Sequence, residues 1–137
     1  MARTLVTISL LFFILGFIGC QQYTENLKQS NTRADEAAAV SAMRSISLAQ
    51  NTTFAQTGKY TTFPELVQSQ ALNPRFNSDQ PKLNGYLFTM TISDEKYSVV
   101  ADPTPPLTGR HFYLDTTGVI HANDSQTAGE GDPPYQP

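Results

Sequence analysis

Two groups of residues in this chain carry side chains able to do chemistry. The first is a single thiol. Cys20 is the only cysteine among 137 residues, and it closes an apolar run. No internal disulfide can form, and a thiol at that place is positioned to take up a lipid. The second group lies in Arg110-His111-Phe112-Tyr113-Leu114-Asp115-Thr116-Thr117-Gly118-Val119-Ile120-His121-Ala122. Two imidazoles and a carboxylate are zinc-ligand types, but these converge only if two strands pair in one register. Asp115-Thr116-Thr117-Gly118 suggests a type I turn with Gly118 in the left-handed region as a bulge. Leu114 then faces Ile120 and Phe112 faces Ala122. His111, Tyr113 and His121 share the opposite face, with Asp115 near. That face is expected to meet solvent, the spacing is not a recognised ligand spacing, and a one-residue slip scatters the group. Surface histidines are the expectation, and a small metal-binding enzyme is the lesser alternative. The chain has no Ser-His-Asp order in a strand-and-turn context, no acid/base pair in a defined pocket and no Gly-rich phosphate loop. A protein that is not an enzyme, with no cofactor, no bound metal and no evident small-molecule substrate, is expected.

The elements that surround these residues follow from composition and pattern. Arg3 gives a short positive region, and Thr4 to Ile18 is an apolar run of about 15 residues, short for a membrane span and right for a signal peptide. Phe17-Ile18-Gly19-Cys20 looks like a lipobox, with Gly19 at the small position and Phe17 where leucine is usual. Residues 1–19 are therefore read as a lipoprotein signal peptide. Residues 20–31 are read as a polar tether lipidated on Cys20, which holds the protein on a membrane. Several acyl chains do this stably, at about 0.8 kcal/mol per buried CH₂. Gln21 after the cysteine leans towards the outer membrane, facing the periplasm or the cell surface. The net charge of −3 with pI near 5.2 and the scattered Lys and Arg residues argue against nucleic acid as a partner.

Thr32 to Lys59 predicts one long helix. Thr32 is a plausible N-cap, with acidic Asp35 and Glu36 in the first turn. Val40, Met43, Ile46, Gln50 and Phe54 recur at spacings of three and four, a one-sided stripe. Gly58 suits the C-cap. About 25 residues at 1.5 Å each make a helix about 40 Å long. Pro64 to Ser69 reads as a short helix, with Thr62 or Phe63 near its cap, and Asn73 to Asn84 as a loop. Tyr86 to Ile92 alternates cleanly, Ser93 to Lys96 is a turn, and Tyr97 to Asp102 returns antiparallel. Pro103 to Gly109 is a loop or crossover. Residues 123–137 read as a disordered tail.

Taken in order, several segments resemble the globular part of type IV pilins and type II secretion pseudopilins. They are Glu36-Ala37, Met43-Arg44-Ser45-Ile46, Gly58-Lys59-Tyr60 and Phe63-Pro64-Glu65-Leu66. Gly85-Tyr86-Leu87-Phe88, Tyr97 to Pro103 and Gly109 to Ile120 follow in the same order. The resemblance implies a pilin-like α+β domain over residues 32–122, a long N-terminal helix packed on a three- or four-stranded antiparallel sheet. It also implies protein partners in a pilus or secretion assembly of the cell envelope. The leader departs from the prepilin pattern. Gly16-Phe17 follows the apolar run instead of preceding it, and the fifth residue counted from Phe17 is Gln21, where prepilins carry Glu. The sequence thus predicts a lipid-anchored binding or accessory component, with a filament-incorporated minor pilin or pseudopilin as the alternative.

Overall fold

The protein is described from a computed structural model, which covers residues 24–93 and 95–137. The expected signal peptide at residues 1–19, the lipidation at Cys20 and the first residues of the tether lie outside the described residues. The chain divides into two compact units, Met1–Arg33 and Ala34–Pro137. In the first, the described residues 24–33 belong to helix α1 (Ala2–Thr57), and nearly all of them are exposed. This corrects the expectation that Thr32 caps the long helix, because Thr32 lies inside it. The stretch Thr24 to Asn31 holds neither Pro nor Gly and includes Glu25, Leu27, Lys28 and Gln29, all good helix formers. Polarity alone did not make it a loop.

In the second unit, the remaining turns of α1 supply Ala39, Val40, Met43, Ile46 and Ala49, all nearly inaccessible, to the core. These positions repeat every three or four residues and form the expected stripe. The helix ends at Thr57. Gly58 follows at φ 72°, and its N–H donates to the Phe54 carbonyl at 2.8 Å, a left-handed cap that a side chain would strain. Phe54, expected on the buried stripe, is 39% exposed and stacks on Tyr60 at 4.6 Å between ring centroids. Helix α2 (Phe63–Gln68) starts one residue earlier than expected. Its N-cap is Thr62, and the Glu65 carboxylate accepts the Thr62 N–H at 2.9 Å and the hydroxyls of Thr61 and Thr62.

The sheet is a five-stranded antiparallel meander, β1 (Lys82–Leu83), β2 (Tyr86–Ser93), β3 (Lys96–Pro103), β4 (His111–Asp115) and β5 (Ile120–Asn123), in spatial order β1-β2-β3-β4-β5. The α+β architecture of one long helix and an antiparallel sheet therefore holds. The count of three or four strands does not, because Asn73–Asn84 is not all loop. It holds a 3₁₀ turn (Pro74–Phe76) and then β1, which pairs with β2 through Leu83↔Tyr86. Asn84 and Gly85 form the connection at φ 50° and 77°, the two left-handed residues that a tight hairpin of this hand requires. Gly85 is fixed a second way, since a Cβ there would stand 2.8 Å from Leu107 Cδ2.

One face of the sheet is buried. Tyr86 and Phe88 on β2, Tyr97, Val99 and Ala101 on β3, Phe112 and Leu114 on β4, and Ile120 on β5 join the helix residues in a single core. Phe63, Leu66, Leu72 and Phe76 close its side, and ring contacts run from Phe63 to Phe76 to Phe88.

The expected disordered tail is also corrected. From Ala128 the chain returns along β5 as a strap. The Ala122 N–H donates to the Pro133 carbonyl at 3.0 Å, and the Tyr135 N–H to the Ile120 carbonyl at 2.7 Å. Ala128 is buried, and Tyr135 meets Phe112 edge-on at 5.4 Å. Low hydrophobicity concealed two anchoring side chains and an open strand edge that needed partners.

Candidate functional site

The register expected for the last hairpin is the one observed, with Phe112↔Ala122, Tyr113↔His121 and Leu114↔Ile120 paired. Gly118 sits at φ 76°, and its N–H donates to the Asp115 carbonyl at 3.0 Å. His111, Tyr113, Asp115 and His121 thus share the outer face of the sheet, as the pattern implied. They are half-buried rather than fully exposed, because the strap crosses beside them.

Sharing a face does not make them converge. His111 Nδ1 lies 2.5 Å from Asp102 Oδ1, and the other Asp102 oxygen accepts from the Thr127 hydroxyl at 3.2 Å. A carboxylate accepts, so Nδ1 carries the proton. His121 Nδ1 lies 2.6 Å from the Asp132 carbonyl and donates to it by the same reasoning. The Asp132 carboxylate is engaged in turn by the Gly129 N–H at 2.7 Å and then by Asn123 Nδ2 at 2.8 Å, which hold its pKa below the usual carboxylate range. His111 therefore joins β4 to β3, and His121 ties the strap to β5. Among the described residues, no group of three or more His, Cys, Asp or Glu side chains is placed to hold a metal ion.

Tyr113 and the residues around it line an open cleft of about 730 Å³, which extends from Thr91 and Lys96 across Ser98 to Glu130 and Pro134. Burial and the nearby carboxylates of Asp115 and Glu130 raise the Tyr113 pKa.

A second polar cluster, which the pattern reading missed, lies on the helix side. Glu36 is 7% exposed. Its carboxylate accepts the Arg110 backbone N–H at 2.9 Å, and Arg110 Nε and Nη2 at 3.1 and 2.9 Å. The guanidinium lies 4.7 Å from the centroid of the Tyr135 ring, and the Tyr86 hydroxyl donates to the Arg110 carbonyl at 2.9 Å. Burial, then the Glu36 charge, pushes the Tyr86 pKa well up. Glu36 was assigned to a helix first turn, yet it stands four residues before Val40, in phase with the buried stripe. That phase was the available signal. Gln50, four residues after Ile46, is the other buried polar residue among those described. Its Nε2 donates to the Thr61 carbonyl at 2.7 Å, and its Oε1 accepts the Thr61 N–H at 3.1 Å.

Among the described residues, Glu36, Arg110, Gln50, His111, His121 and Asp132 each fasten one element to another. Among the described residues no helix is long and apolar enough to cross a membrane. No protein-family model, curated protein or solved structure matches this chain.

Proposed function

We propose that this chain is a lipid-anchored, non-enzymatic protein of the bacterial cell envelope, whose pilin-like domain serves as a binding or accessory component of a pilus or secretion system. The observation that carries the reading is the place of Cys20. The one thiol closes a signal-like apolar run, and one long helix then leads to a helix-on-meander domain. The order of the segments through residue 122 supports the pilin-like assignment. Glu36, Arg110, His111 and Asp132 are each committed to holding the fold.

Intact mass and N-terminal fragmentation of the protein extracted from membranes test the anchor. A mature chain beginning at Cys20 and carrying diacylglycerol is the expected result. Met1 retained with an unmodified Cys20 overturns the lipoprotein reading. Crosslinking in intact cells then identifies the partner, expected among envelope assembly proteins.

One observation favours a second reading, a minor subunit built into a filament. Helix α1 includes residues 24–31 where a polar tether was expected, and a filament subunit joins its apolar segment to its domain through such a helix. Recovery in sheared filaments, dependent on prepilin peptidase, would establish that reading in place of the first.

A further inference from the structure

Strand β5 is the last of the meander, and the strap lies along its outer edge as an incomplete strand. Alternate residues of an antiparallel strand turn both backbone groups to the same side. The bonds from the Ala122 N–H to the Pro133 carbonyl and from the Tyr135 N–H to the Ile120 carbonyl place Ile120 and Ala122 on the strap side. They present four backbone groups there, and the strap satisfies two. It pairs antiparallel through His121↔Pro134, so Pro133 stands opposite Ala122, and a proline has no N–H to give the Ala122 carbonyl. Among the described residues, the strap offers no acceptor to the Ile120 N–H either. Side chains do the rest of the fastening. Tyr135 meets the Phe112 ring edge-on at 5.4 Å, and the Arg110 guanidinium lies 4.7 Å from its centroid. Three residues earlier, the Asp132 carboxylate accepts from Asn123 Nδ2 at 2.8 Å. Pro133, Pro134 and Gln136 are exposed, as are residues 124–127, which lead from β5 to the strap.

A segment with an amide N–H at every position would complete more of this ladder than the strap does. When an extended segment joins a sheet edge, main-chain bonds supply affinity and side-chain seats supply selectivity. The seats here call for a carboxylate at Asn123 and, three residues on, an aromatic ring whose electron-rich face meets the Arg110 cation. We propose that the β5 edge docks an extended segment of a partner protein with the pattern acid-x-x-aromatic and no proline directly after the acid, and that the strap is its displaceable cover. The cover keeps the edge from pairing indiscriminately and gives way to a segment that completes the ladder. Such an edge serves with or without a lipid anchor.

The test is titration of the isotope-labelled full chain in detergent with synthetic peptides of residues 128–137, read by NMR at the amides of Ile120 and Ala122. A free peptide of the native sequence displaces half of the strap when it matches the strap's effective concentration, about millimolar for a short connection. The peptide carrying Pro133→Ala adds a donor for the Ala122 carbonyl and should reach that point at roughly fivefold lower concentration. Adding Tyr135→Ala to that peptide should weaken it about tenfold, by loss of the ring contacts. Tyr135→Ala in the chain itself loosens the cover, so the native peptide should then act at about tenfold lower concentration. Circular dichroism checks that this variant keeps its fold, and if it does not, the peptide comparisons on the unaltered chain decide. No shift with any peptide up to about 10 mM would overturn the docking edge. Equal potency of the native and Pro133→Ala peptides would overturn the incomplete ladder, and unchanged potency on a folded Tyr135→Ala chain would overturn the cover. Dimers that form by exchange of straps between copies, in place of peptide binding, would give the edge to a second copy of this chain and overturn the partner segment.

Discussion

Gln50 offers the sharpest test of how the helix is fastened to the rest of the domain. Its side chain is fully buried at the last core turn of α1. The carboxamide faces the Thr61 peptide and makes both hydrogen bonds that a second strand would make, at 2.7 and 3.1 Å. Thr61 lies just beyond the left-handed residue Gly58, so this amide fixes where the chain goes after the helix ends. Gln50→Leu keeps the volume and removes only the polar pairing. Each hydrogen bond contributes about 1 kcal/mol net, and the orphaned Thr61 N–H and C=O add a desolvation penalty. Thr61 is half-buried and water reaches it in part, so the penalty falls at the low end and the expected loss is about 2–3 kcal/mol. For a domain of this size that lowers Tm by roughly 10–20 °C. Gln50→Glu separates the two bonds, because a carboxylate accepts from the Thr61 N–H and cannot donate to its carbonyl. It should be at least as damaging at neutral pH, where a buried charge is added. The assay is urea unfolding followed by far-UV circular dichroism, with Tm by calorimetry. Gln50→Leu within about 0.5 kcal/mol of the parent would refute the reasoning, since it would show that the site is satisfied by apolar packing alone.

Three further outcomes follow from the same geometry. Arg110→Ala leaves the Glu36 carboxylate in a largely buried place with only the backbone N–H of residue 110, and should destabilise by about 2–3 kcal/mol; this is below the range for a fully buried pair because the arginine side chain is 32% exposed. Adding Glu36→Gln to that variant should recover part of the loss, and a double-mutant cycle in urea that gives strict additivity would contradict the pairing. Deleting residues 128–137 strips Tyr135 from Phe112 and Arg110 and bares the β5 edge, so the shortened domain should be less stable and associate at high concentration, read by light scattering. The Glu65 pKa is lowered by the Thr61 hydroxyl, then by the Thr62 N–H and hydroxyl, so its contribution is present above its ordinary value of 4.5 and is lost as pH falls below it. Asp132 loses its contribution in the same direction. Glu65→Gln should therefore flatten, without abolishing, the acid limb of a stability–pH curve.

What the sequence disclosed and what it hid divide along physical lines. Periodicity exposed the stripe from Ala39 to Ala49, the alternation of β2 and the register of the β4–β5 hairpin, because each is a repeated burial decision and errors at single residues average out. The Asp115–Gly118 turn was legible because its chemistry is local. The hairpin of β1 and β2 was equally local, with Asn84-Gly85 as its mark, but a strand of two residues has no period to see. The strap was hidden for a different reason. Its stability rests on two carbonyl-to-amide bonds with β5 and two side chains meeting distant partners, and nothing local in residues 128–137 announces either. For the candidate site, the shared face of His111, Tyr113 and His121 was readable from pattern. The engagement of each imidazole by Asp102 and Asp132 was not, because those partners come from β3 and the strap.

Those two engagements bear on what the outer face can do. A histidine whose Nδ1 is pinned by a protein oxygen keeps one orientation and one tautomer. Here both imidazoles are pinned, His111 to Asp102 of β3 and His121 to the strap, and it is His121 that holds the strap against β5. The strap in turn carries Glu130 to the rim of the cleft over Tyr113. The cleft is therefore assembled from four strands and a returning segment. Loosening the strap should open the cleft before it unfolds the core, since the core residues Phe88, Val99 and Leu114 lie on the other face of the sheet. Hydrogen exchange can separate the two events. The amides of Ala122 and Tyr135, which close the strap on β5, should exchange through a smaller opening free energy than those of β3. His121→Ala should raise exchange at Ala122 and Tyr135 and leave Val99 unchanged. Equal acceleration at all three amides would show that strap and core open as one unit, and the cleft would then have no separate means of opening.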